Sequence, residues 1–283
     1  MNVLSLFDGM SCGQIALNKV GINYENYYAA EIKPHAIKVT QHNYPNTIQV
    51  GDVTKIDVNN LPKIDLLIGG SPCQDFSRAN KVQKGLDGEK SGLFYEYVRI
   101  LNDIKKTNPD VKFLLENVRM KQEWQDIISE ELGVKPIRIN SSLVGGFMRD
   151  RFYWTNIPNV ELPKDNNIKL ESIIDNGYVD RDKGLCLLES YSRPLKSPDK
   201  IARRYFKYGF WQVVFKDKET YDRIKLNHES TTDGDVRYLN HNEMERAQTV
   251  PEGYTSILSR NDAACLLGDG WTVDVIAHIF KNI

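Results

Sequence analysis

Short apolar runs alternate with helical patterns through the first half of the chain. The apolar runs have the length of buried strands, and they are Val3–Phe7, Tyr27–Glu31, Thr47–Gly51, Ile64–Gly69, Lys112–Glu116 and Lys135–Ile139. Apolar residues recur at helical spacing between them, and the predicted helices are Gly13–Val20, Pro34–Asn43, Leu93–Lys105 and Gln122–Leu132. Alternation of this kind predicts an α/β fold built on a doubly wound, mostly parallel sheet.

The alternation stops after about Asn156, and short extended pieces and turns follow until about Thr255. A last segment from Gly268 opens a helix with the apolar face of a core element. We therefore predict a main domain of residues 1–156 and 257–283, with residues 157–256 forming a smaller inserted lobe.

Polar or reactive residues recur where the predicted strands end. They are Asp8, Glu31, Asp52, Cys73 and Glu116. A single acidic residue after a strand is usually a helix cap or a turn former. The carboxyl ends of parallel strands share one edge of the sheet, where ligands bind. The regular series therefore predicts a ligand site along that edge.

The first turn, Phe7–Gly13, leads a strand into a helix but lacks the spacing of a dinucleotide fingerprint. Glu31 ends the second strand, where an acidic residue commonly accepts from ribose hydroxyls. Asp52 follows the third strand and can accept from an adenine amino group. These residues favour a cofactor that contains adenosine and makes no demand for phosphate binding.

Cys73 follows a buried run that ends in two glycines, a serine and a proline. A cysteine in such a turn is either a small packing residue or a nucleophile. The stretch alone leaves both interpretations open.

Composition limits the remaining possibilities. The chain has 283 residues, a formal net charge of -1 and four cysteines. The cysteines show no metal-ligand spacing, which is typical of a reducing compartment and favours a cytoplasmic protein. No apolar run is long enough to span a membrane, and the first strand begins at once, so we expect no signal peptide.

One local stretch, Arg193–Trp211, is basic despite the neutral total. It holds six cations against the single acid Asp199, with aromatic residues interleaved. Cations and flat rings together are typical of nucleic-acid surfaces. A solvated strand face with its aromatic side chains in the core of the lobe is an equally open interpretation.

Taken in order, these pieces resemble the DNA (cytosine-5)-methyltransferases over nearly the whole chain. The matching stretches are Phe7-Asp8-Gly9 with Gly13, Glu31, Asp52-Val53, Gly70-Ser71-Pro72-Cys73-Gln74, Glu116-Asn117-Val118, Arg149-Asp150-Arg151, Arg237 to Pro251, and Gly268 to Val273. Variants at Ser11-Cys12, Phe147 and Gly270-Trp271-Thr272 look more like the catalytic domains of animal de novo enzymes. The resemblance implies a Rossmann-like methyltransferase fold with a target-recognition lobe.

The resemblance also implies roles for individual residues. Cys73 is the implied nucleophile, and Glu116, Arg149 and Arg151 are the implied partners in catalysis, with both arginines on one strand face. S-adenosylmethionine is the implied methyl donor and S-adenosylhomocysteine the product. The residues expected to contact the cofactor are Phe7, Asp8, Gly9, Ser11, Glu31, Ile32, Asp52, Val53, Pro72, Leu93, Trp271 and Val273.

Double-stranded DNA is the implied partner, without a metal or a membrane. The expected DNA contacts are Gln74, Ser77, Arg78, Lys81, Lys84, Arg193, Lys196, Lys200, Arg203 and Arg204. The loop from Arg78 to Ser91 is expected to close over DNA. We expect a monomer, with a cognate restriction endonuclease as a candidate partner. Two alternatives stay open: a tRNA methyltransferase and a catalytically silent DNA-binding paralogue.

Overall fold

The computed structural model describes residues 1–72, 92–209, 211–227 and 231–283. Within these ranges, the buried runs form a seven-stranded sheet in the order β3-β2-β1-β4-β5-β7-β6. Its strands are β1 Asn2–Leu6, β2 Asn26–Ala30, β3 Ile48–Gln49, β4 Leu66–Gly69, β5 Lys112–Val118, β6 Ile137–Asn140 and β7 Asp150–Thr155.

The sheet is parallel from β3 to β5, and β7 pairs with β5 in the antiparallel sense. Leu66, Leu67 and Ile68 of β4 are fully buried, as expected for a strand covered on both faces. The predicted doubly wound, mostly parallel α/β fold is confirmed.

Four helices flank these strands: α1 Cys12–Lys19, α2 Pro34–Asn43, α3 Leu93–Thr107 and α4 Gln122–Leu132. Local sequence explains their ends. Pro34 stands in the first turn of α2, and α4 ends at Gly133, which has the left-handed φ of 70° that glycine tolerates. The apolar face of α3 packs into the core that covers β1, β4 and β5.

The chain divides into two units. The first comprises Met1–Ile139, Asp150–Leu162 and Ile276–Ile283, and the second comprises Asn140–Arg149 and Pro163–Val275. The remaining elements are α5 Pro198–Tyr208, β8 Val213–Phe215, α6 Lys218–Asn227, β9 Val236–Tyr238, α7 His241–Ala247, α8 Arg260–Asp269 and α9 Val273–Phe280. The division assigns α8 to the second unit, where it packs on the turn Glu189–Ser192, although the sequence analysis gave residues 257–275 to the main domain.

The basic stretch of the second unit forms a helix, so its interpretation as a strand face is wrong. Pro198 opens α5, and Gly209 closes it with a φ of 60°. Ile201, Ala202 and Tyr205 lie on the buried side of this helix. They pack with β8, α6 and β9 in a small separate core.

Two further observations concern the described residues as a whole. Arg260–Phe280 is long and apolar enough to cross a membrane by length and composition, but it is two helices, and 72% of the window is buried. Burial of this kind is typical of core helices. The described part of the chain holds no group of three His, Cys, Asp or Glu side chains able to bind a metal ion.

Candidate functional site

The turn after β1 has a strained backbone. Phe7 and Ser11 have φ values of 56° and 63°, and Gly9 between them has 60°. Left-handed conformations cost non-glycine residues about 1–2 kcal/mol each. Two hydrogen bonds from the turn to β2 and the residue after it offset this cost: Asp8 N donates to Ala30 O at 3.1 Å, and Gly9 N donates to Glu31 Oε2 at 2.8 Å.

Asp8 is anchored inside the first unit. Its Oδ2 accepts from Ser11 Oγ at 2.6 Å, and its Oδ1 accepts from the Tyr27 hydroxyl at 2.8 Å. Burial raises the pKa of Asp8 to about 6, against the lowering effect of these hydrogen bonds. The cofactor contacts predicted for Asp8 and Ser11 stay predictions, since both side chains have partners within the fold.

Glu31 is positioned to accept further hydrogen bonds. Its Oε1 accepts from the backbone N–H groups of Ile32 and Lys33 at 2.8 and 2.9 Å, and its Oε2 accepts from Gly9. These three bonds leave about one of its four lone-pair positions for a ligand hydroxyl. Ile32 beside it is 70% exposed, and beyond the two chain neighbours of Gly9 no described atom lies within 4 Å of where its Cβ would be.

A carboxylate with spare acceptor capacity, an exposed apolar side chain and open space beside a glycine suit the ribose and adenine of an adenosine cofactor. Asp52 lies at the turn after β3, in the same row of strand ends. Its Oδ1 accepts from Thr54 N and Oγ1, and the Thr54 N–H lowers the pKa of Asp52. Val53 after it is buried. These residues of the first unit therefore fit the adenosine part of the predicted cofactor.

The ends of β4 and β5 are tied together by a buried hydrogen bond. Asn117 Nδ2 donates to Ser71 Oγ at 3.1 Å, and both residues are buried. Gly69 before them is needed for packing, because a Cβ there would lie 3.1 Å from the Tyr97 ring. Asn117 thus holds the chain two residues before Cys73.

Cys73 itself lies outside the described residues. The same holds for the predicted DNA contacts Gln74, Ser77, Arg78, Lys81 and Lys84, and for the loop predicted to close over DNA. Pro72 and Leu93, which border this stretch, are half-buried.

Glu116 and Arg151 form an ion pair across neighbouring strands. Arg151 Nε lies 2.9 Å from Glu116 Oε1, and the two side chains are 12% and 10% exposed. Glu116 stands on β5 opposite Tyr153, and Val118 stands opposite Arg151. The antiparallel register thus brings the two predicted residues together at the carboxyl end of β5.

Arg149 has different surroundings, and the prediction that it shares a strand face with Arg151 is wrong. β7 begins at Asp150, and Arg149 belongs to the second unit. Its guanidinium donates to the carbonyls of Leu187 and Gly268, each at 3.1 Å, and of Asp269 at 3.4 Å. Arg149 therefore ties its own segment to the backbone at Leu187 and at Gly268–Asp269, and its catalytic role stays a prediction.

The basic residues of the lobe fall into two groups. Arg193 is paired with both carboxylate oxygens of Glu189, at 2.6 and 2.8 Å, and the Arg204 guanidinium lies 3.9 Å from the centroid of the Trp211 ring. Lys196, Lys200 and Arg203 are exposed. Within the described ranges, no carboxylate pairs with these three side chains.

The last predicted contacts, Trp271 and Val273, lie in the second unit. Val273 is fully buried and Trp271 half-buried. Gln248 organises this turn: its side chain accepts from Thr272 Oγ1 at 2.8 Å, and its carbonyl accepts from Val273 N at 3.0 Å.

Comparison with known proteins shows which family part of the chain resembles. A family model described as C-5 cytosine-specific DNA methylase matches residues 1–127. Residues 1–127 are therefore similar to the C-5 cytosine-specific DNA methylases. The match spans the stretch with Cys73 and the strand that carries Glu116.

Two curated methyltransferases are similar to part of this chain. The orphan methyltransferase M.SPRI of Bacillus phage SPR is 40% identical over 121 residues, which are 42% of this chain and 26% of that protein. The type II methyltransferase M.NgoBV of Neisseria gonorrhoeae is 38% identical over 119 residues, 41% of this chain and 27% of that protein. The match thus spans about a quarter of the length of these curated relatives.

A solved structure is similar in fold over the whole chain. The methyltransferase EhMeth of Entamoeba histolytica superposes with a TM-score of 0.75 at 16% identity, covering 100% of this chain and 97% of that one. At this identity the likeness shows the fold alone.

Tyr27 is a residue beside the turn after β1 that sequence reasoning missed. Its signal was weak, because a tyrosine in an apolar strand is usually a core residue. Only the hydrogen bond from its hydroxyl to Asp8 Oδ1 distinguishes Tyr27 from an ordinary core tyrosine.

Proposed function

We propose that this protein is a DNA (cytosine-5)-methyltransferase, which methylates carbon 5 of a cytosine flipped out of double-stranded DNA. Cys73 forms a covalent bond to carbon 6 of the ring during the reaction. The observation that carries the proposal is the Glu116–Arg151 pair at the end of β5, within and just beyond a segment that matches the methylase family.

Carbon 5 of cytosine is a poor nucleophile until the conjugation of the ring is broken. The Cys73 thiolate adds to carbon 6, and the electron pair of the double bond then becomes available at carbon 5. Loss of the proton from carbon 5 expels the thiolate and restores the ring. S-adenosylmethionine, when bound, supplies the methyl group that ends on carbon 5.

Glu116 and Arg151 bear the charge that develops in the ring. Glu116 shares a proton with ring nitrogen 3 as charge develops in the ring, and Arg151 donates to the carbonyl oxygen of the base. Their low exposure supports this proposal, because electrostatic contacts are stronger where water is partly excluded. Arg149 takes no part in these steps, since its guanidinium is bound to backbone carbonyls of the second unit.

The first unit holds the cofactor at the ends of β1, β2 and β3. Glu31 accepts from the ribose hydroxyls, Ile32 packs against the adenine ring, and Asp52 accepts from the amino group. The spare acceptor position of Glu31 and the exposure of Ile32 support these assignments.

The second unit serves as the target-recognition domain. On α5, Lys200, Arg203 and Lys207 recur at helical spacing and are all exposed, so they face phosphates from one side of the helix. Lys196 precedes the helix. The ion pair between Arg193 and Glu189 makes Arg193 a weaker candidate.

In this proposal the protein acts as a cytoplasmic monomer, and one relative carries the name of a type II methyltransferase. A cognate restriction endonuclease is therefore a candidate partner.

Flipping the target base out of the duplex costs a few kcal/mol, on the order of the unstacking energy of one base.

Covalent trapping tests the proposed chemistry. A duplex with 5-fluorocytosine at the target position cannot lose a proton from carbon 5, so the adduct should persist and survive denaturing electrophoresis. The wild-type protein should form this complex with S-adenosylmethionine present, and Cys73→Ser should not. A complex of equal yield with Cys73→Ser would contradict the assignment of the nucleophile.

A further inference from the structure

A buried hydrogen-bond network lies beneath the strained turn Phe7–Ser11. Tyr27 of β2 is 2% exposed, and its hydroxyl donates to Asp8 Oδ1. Ser11 Oγ donates to the other carboxylate oxygen and accepts from Gln14 Nε2 at 2.8 Å. Gln14 also donates to Thr47 Oγ1 at 2.8 Å, so the network joins β2, the turn, α1 and the residue before β3.

The packing around Tyr27 leaves its ring little freedom. A Cβ on Gly13 would lie 2.7 Å from the Tyr27 hydroxyl and 2.3 Å from Ile68 Cδ1. The first turn of α1 therefore closes directly over the hydroxyl. Tyr27 is held between the sheet and α1, with its oxygen aimed at Asp8.

Asp8 transmits this anchoring to the ligand-binding backbone. Its carboxylate accepts from Ser11, a residue in a left-handed conformation, and Gly9 follows Asp8 directly. Gly9 N in turn donates to Glu31 Oε2. The hydroxyl of Tyr27 thus reaches the ribose-binding carboxylate through a continuous chain of contacts, although Tyr27 itself touches no ligand.

We propose that Tyr27 is a positioning residue for cofactor binding, which acts through Asp8 to hold the turn in its strained shape. The inference rests on the proposed function, because it assigns the turn to S-adenosylmethionine. Tyr27 contributes to cofactor affinity and leaves the methyl-transfer step itself unchanged.

The protonation state of Asp8 adds a pH profile to this inference. Tyr27, Ser11 and Ser5 face the carboxyl as hydrogen-bond partners, and Glu31 is its charged neighbour. Above about pH 6 the carboxylate is ionised, and both of its oxygens accept hydrogen bonds. When Asp8 is protonated, one of these oxygens becomes a donor, so one of the hydroxyl groups that donate to Asp8 loses its acceptor. Cofactor affinity should therefore fall as pH drops through the pKa of Asp8.

Calorimetric titration of the full chain with S-adenosylhomocysteine tests the proposal. Tyr27→Phe should weaken Kd by about tenfold, as expected for the loss of one net hydrogen bond of about 1.4 kcal/mol. The binding stoichiometry should stay unchanged, since it reports the folded fraction. The pH midpoint of affinity should rise, because the lost hydrogen bond normally lowers the pKa of Asp8.

Tyr28→Phe is the matched control. Tyr28 is the next residue on β2, so its side chain points to the opposite face, and its hydroxyl has no hydrogen-bond partner among the described residues. Its Kd should stay within about twofold of wild type. In turnover assays, Tyr27→Phe should raise KM for S-adenosylmethionine and leave kcat and KM for DNA unchanged.

The outcomes separate the two levels of the proposal. If wild type binds and Tyr27→Phe binds equally well, or loses stoichiometry without a change in Kd, the positioning role is overturned while the proposed function stands. If wild type fails to bind S-adenosylhomocysteine, both are overturned. Should Tyr27→Phe not fold, Ser11→Gly removes the second anchor of Asp8 at a position whose φ suits glycine, and the same weakening is expected.

Discussion

Arg149 offers a direct test of a structural role against a catalytic one. The proposed perturbation is Arg149→Met, which keeps an apolar stem of similar length and removes the guanidinium. In the wild-type fold this group donates to the carbonyls of Leu187, Gly268 and Asp269. Arg149 is only 6% exposed, so water cannot readily replace the lost donors.

The expected cost follows from these contacts. Hydrogen bonds to a charged group contribute about 1.5–3 kcal/mol each, and the two at 3.1 Å carry most of the effect. Removing a buried charge offsets part of the loss. We expect a net destabilisation of about 2–4 kcal/mol, which lowers Tm by roughly 3–7 °C in a protein of this size.

Thermal unfolding followed by tryptophan fluorescence measures this change. Arg138→Met is the control, because Arg138 is 53% exposed and its ion pair with Asp150 should contribute less than about 1 kcal/mol. If Arg149→Met matches the wild-type Tm but loses kcat, the structural account is refuted and the catalytic prediction is favoured.

Three further perturbations follow from the geometry. Glu116→Gln should lower kcat by about 10²–10⁴-fold and leave the Kd for S-adenosylhomocysteine unchanged, because only the proton on ring nitrogen 3 is lost; equal loss of both would argue for misfolding. Asp8 has its pKa raised from 3.8 to about 6, so its contribution to stability is complete below about pH 4 and disappears as pH rises through about 6. Asp8→Asn should flatten the pH dependence of Tm in that window, where the half-buried wild-type residue accounts for at most about 3 kcal/mol; an unchanged profile would contradict the raised pKa. Gly268→Ala would place a Cβ 2.4 Å from the backbone nitrogen of Glu189 and should lower Tm by several times the effect of Gly145→Ala, whose nearest neighbour is 3.4 Å away.

The sheet could be predicted because its strands are buried on both faces. Runs such as Leu66–Ile68 are apolar throughout, so their pattern is not confused with that of a strand that has one exposed face. The helix signals Pro34 and Gly133 stand where α2 begins and where α4 ends. The helix α5 was missed because its cations and aromatic residues suggested a surface. Pro198 and Gly209 carried the signal, with Ile201 and Tyr205 at helical spacing.

The positions of some candidate residues at strand ends could be predicted from the pattern of strands, and their roles stay predictions. Glu31 keeps acceptor capacity at the carboxyl end of β2, and Glu116 meets Arg151 through the register of β5 and β7. The surroundings of Arg149 could not be predicted from its spacing to Arg151. The strand β7 begins at Asp150, so Arg149 lies in the turn before the strand and Arg151 lies on the strand. Asp8 depends on Tyr27, a long-range contact that no local pattern reports.

The most direct test of the central claim is nucleoside analysis of DNA incubated with the purified protein and isotopically labelled S-adenosylmethionine. We expect labelled 5-methylcytosine in digested double-stranded DNA, in one short sequence context by bisulfite sequencing, and none with Cys73→Ser. No labelled 5-methylcytosine in DNA, from a protein that binds the cofactor, would contradict the account, and label in tRNA alone would favour the RNA methyltransferase instead.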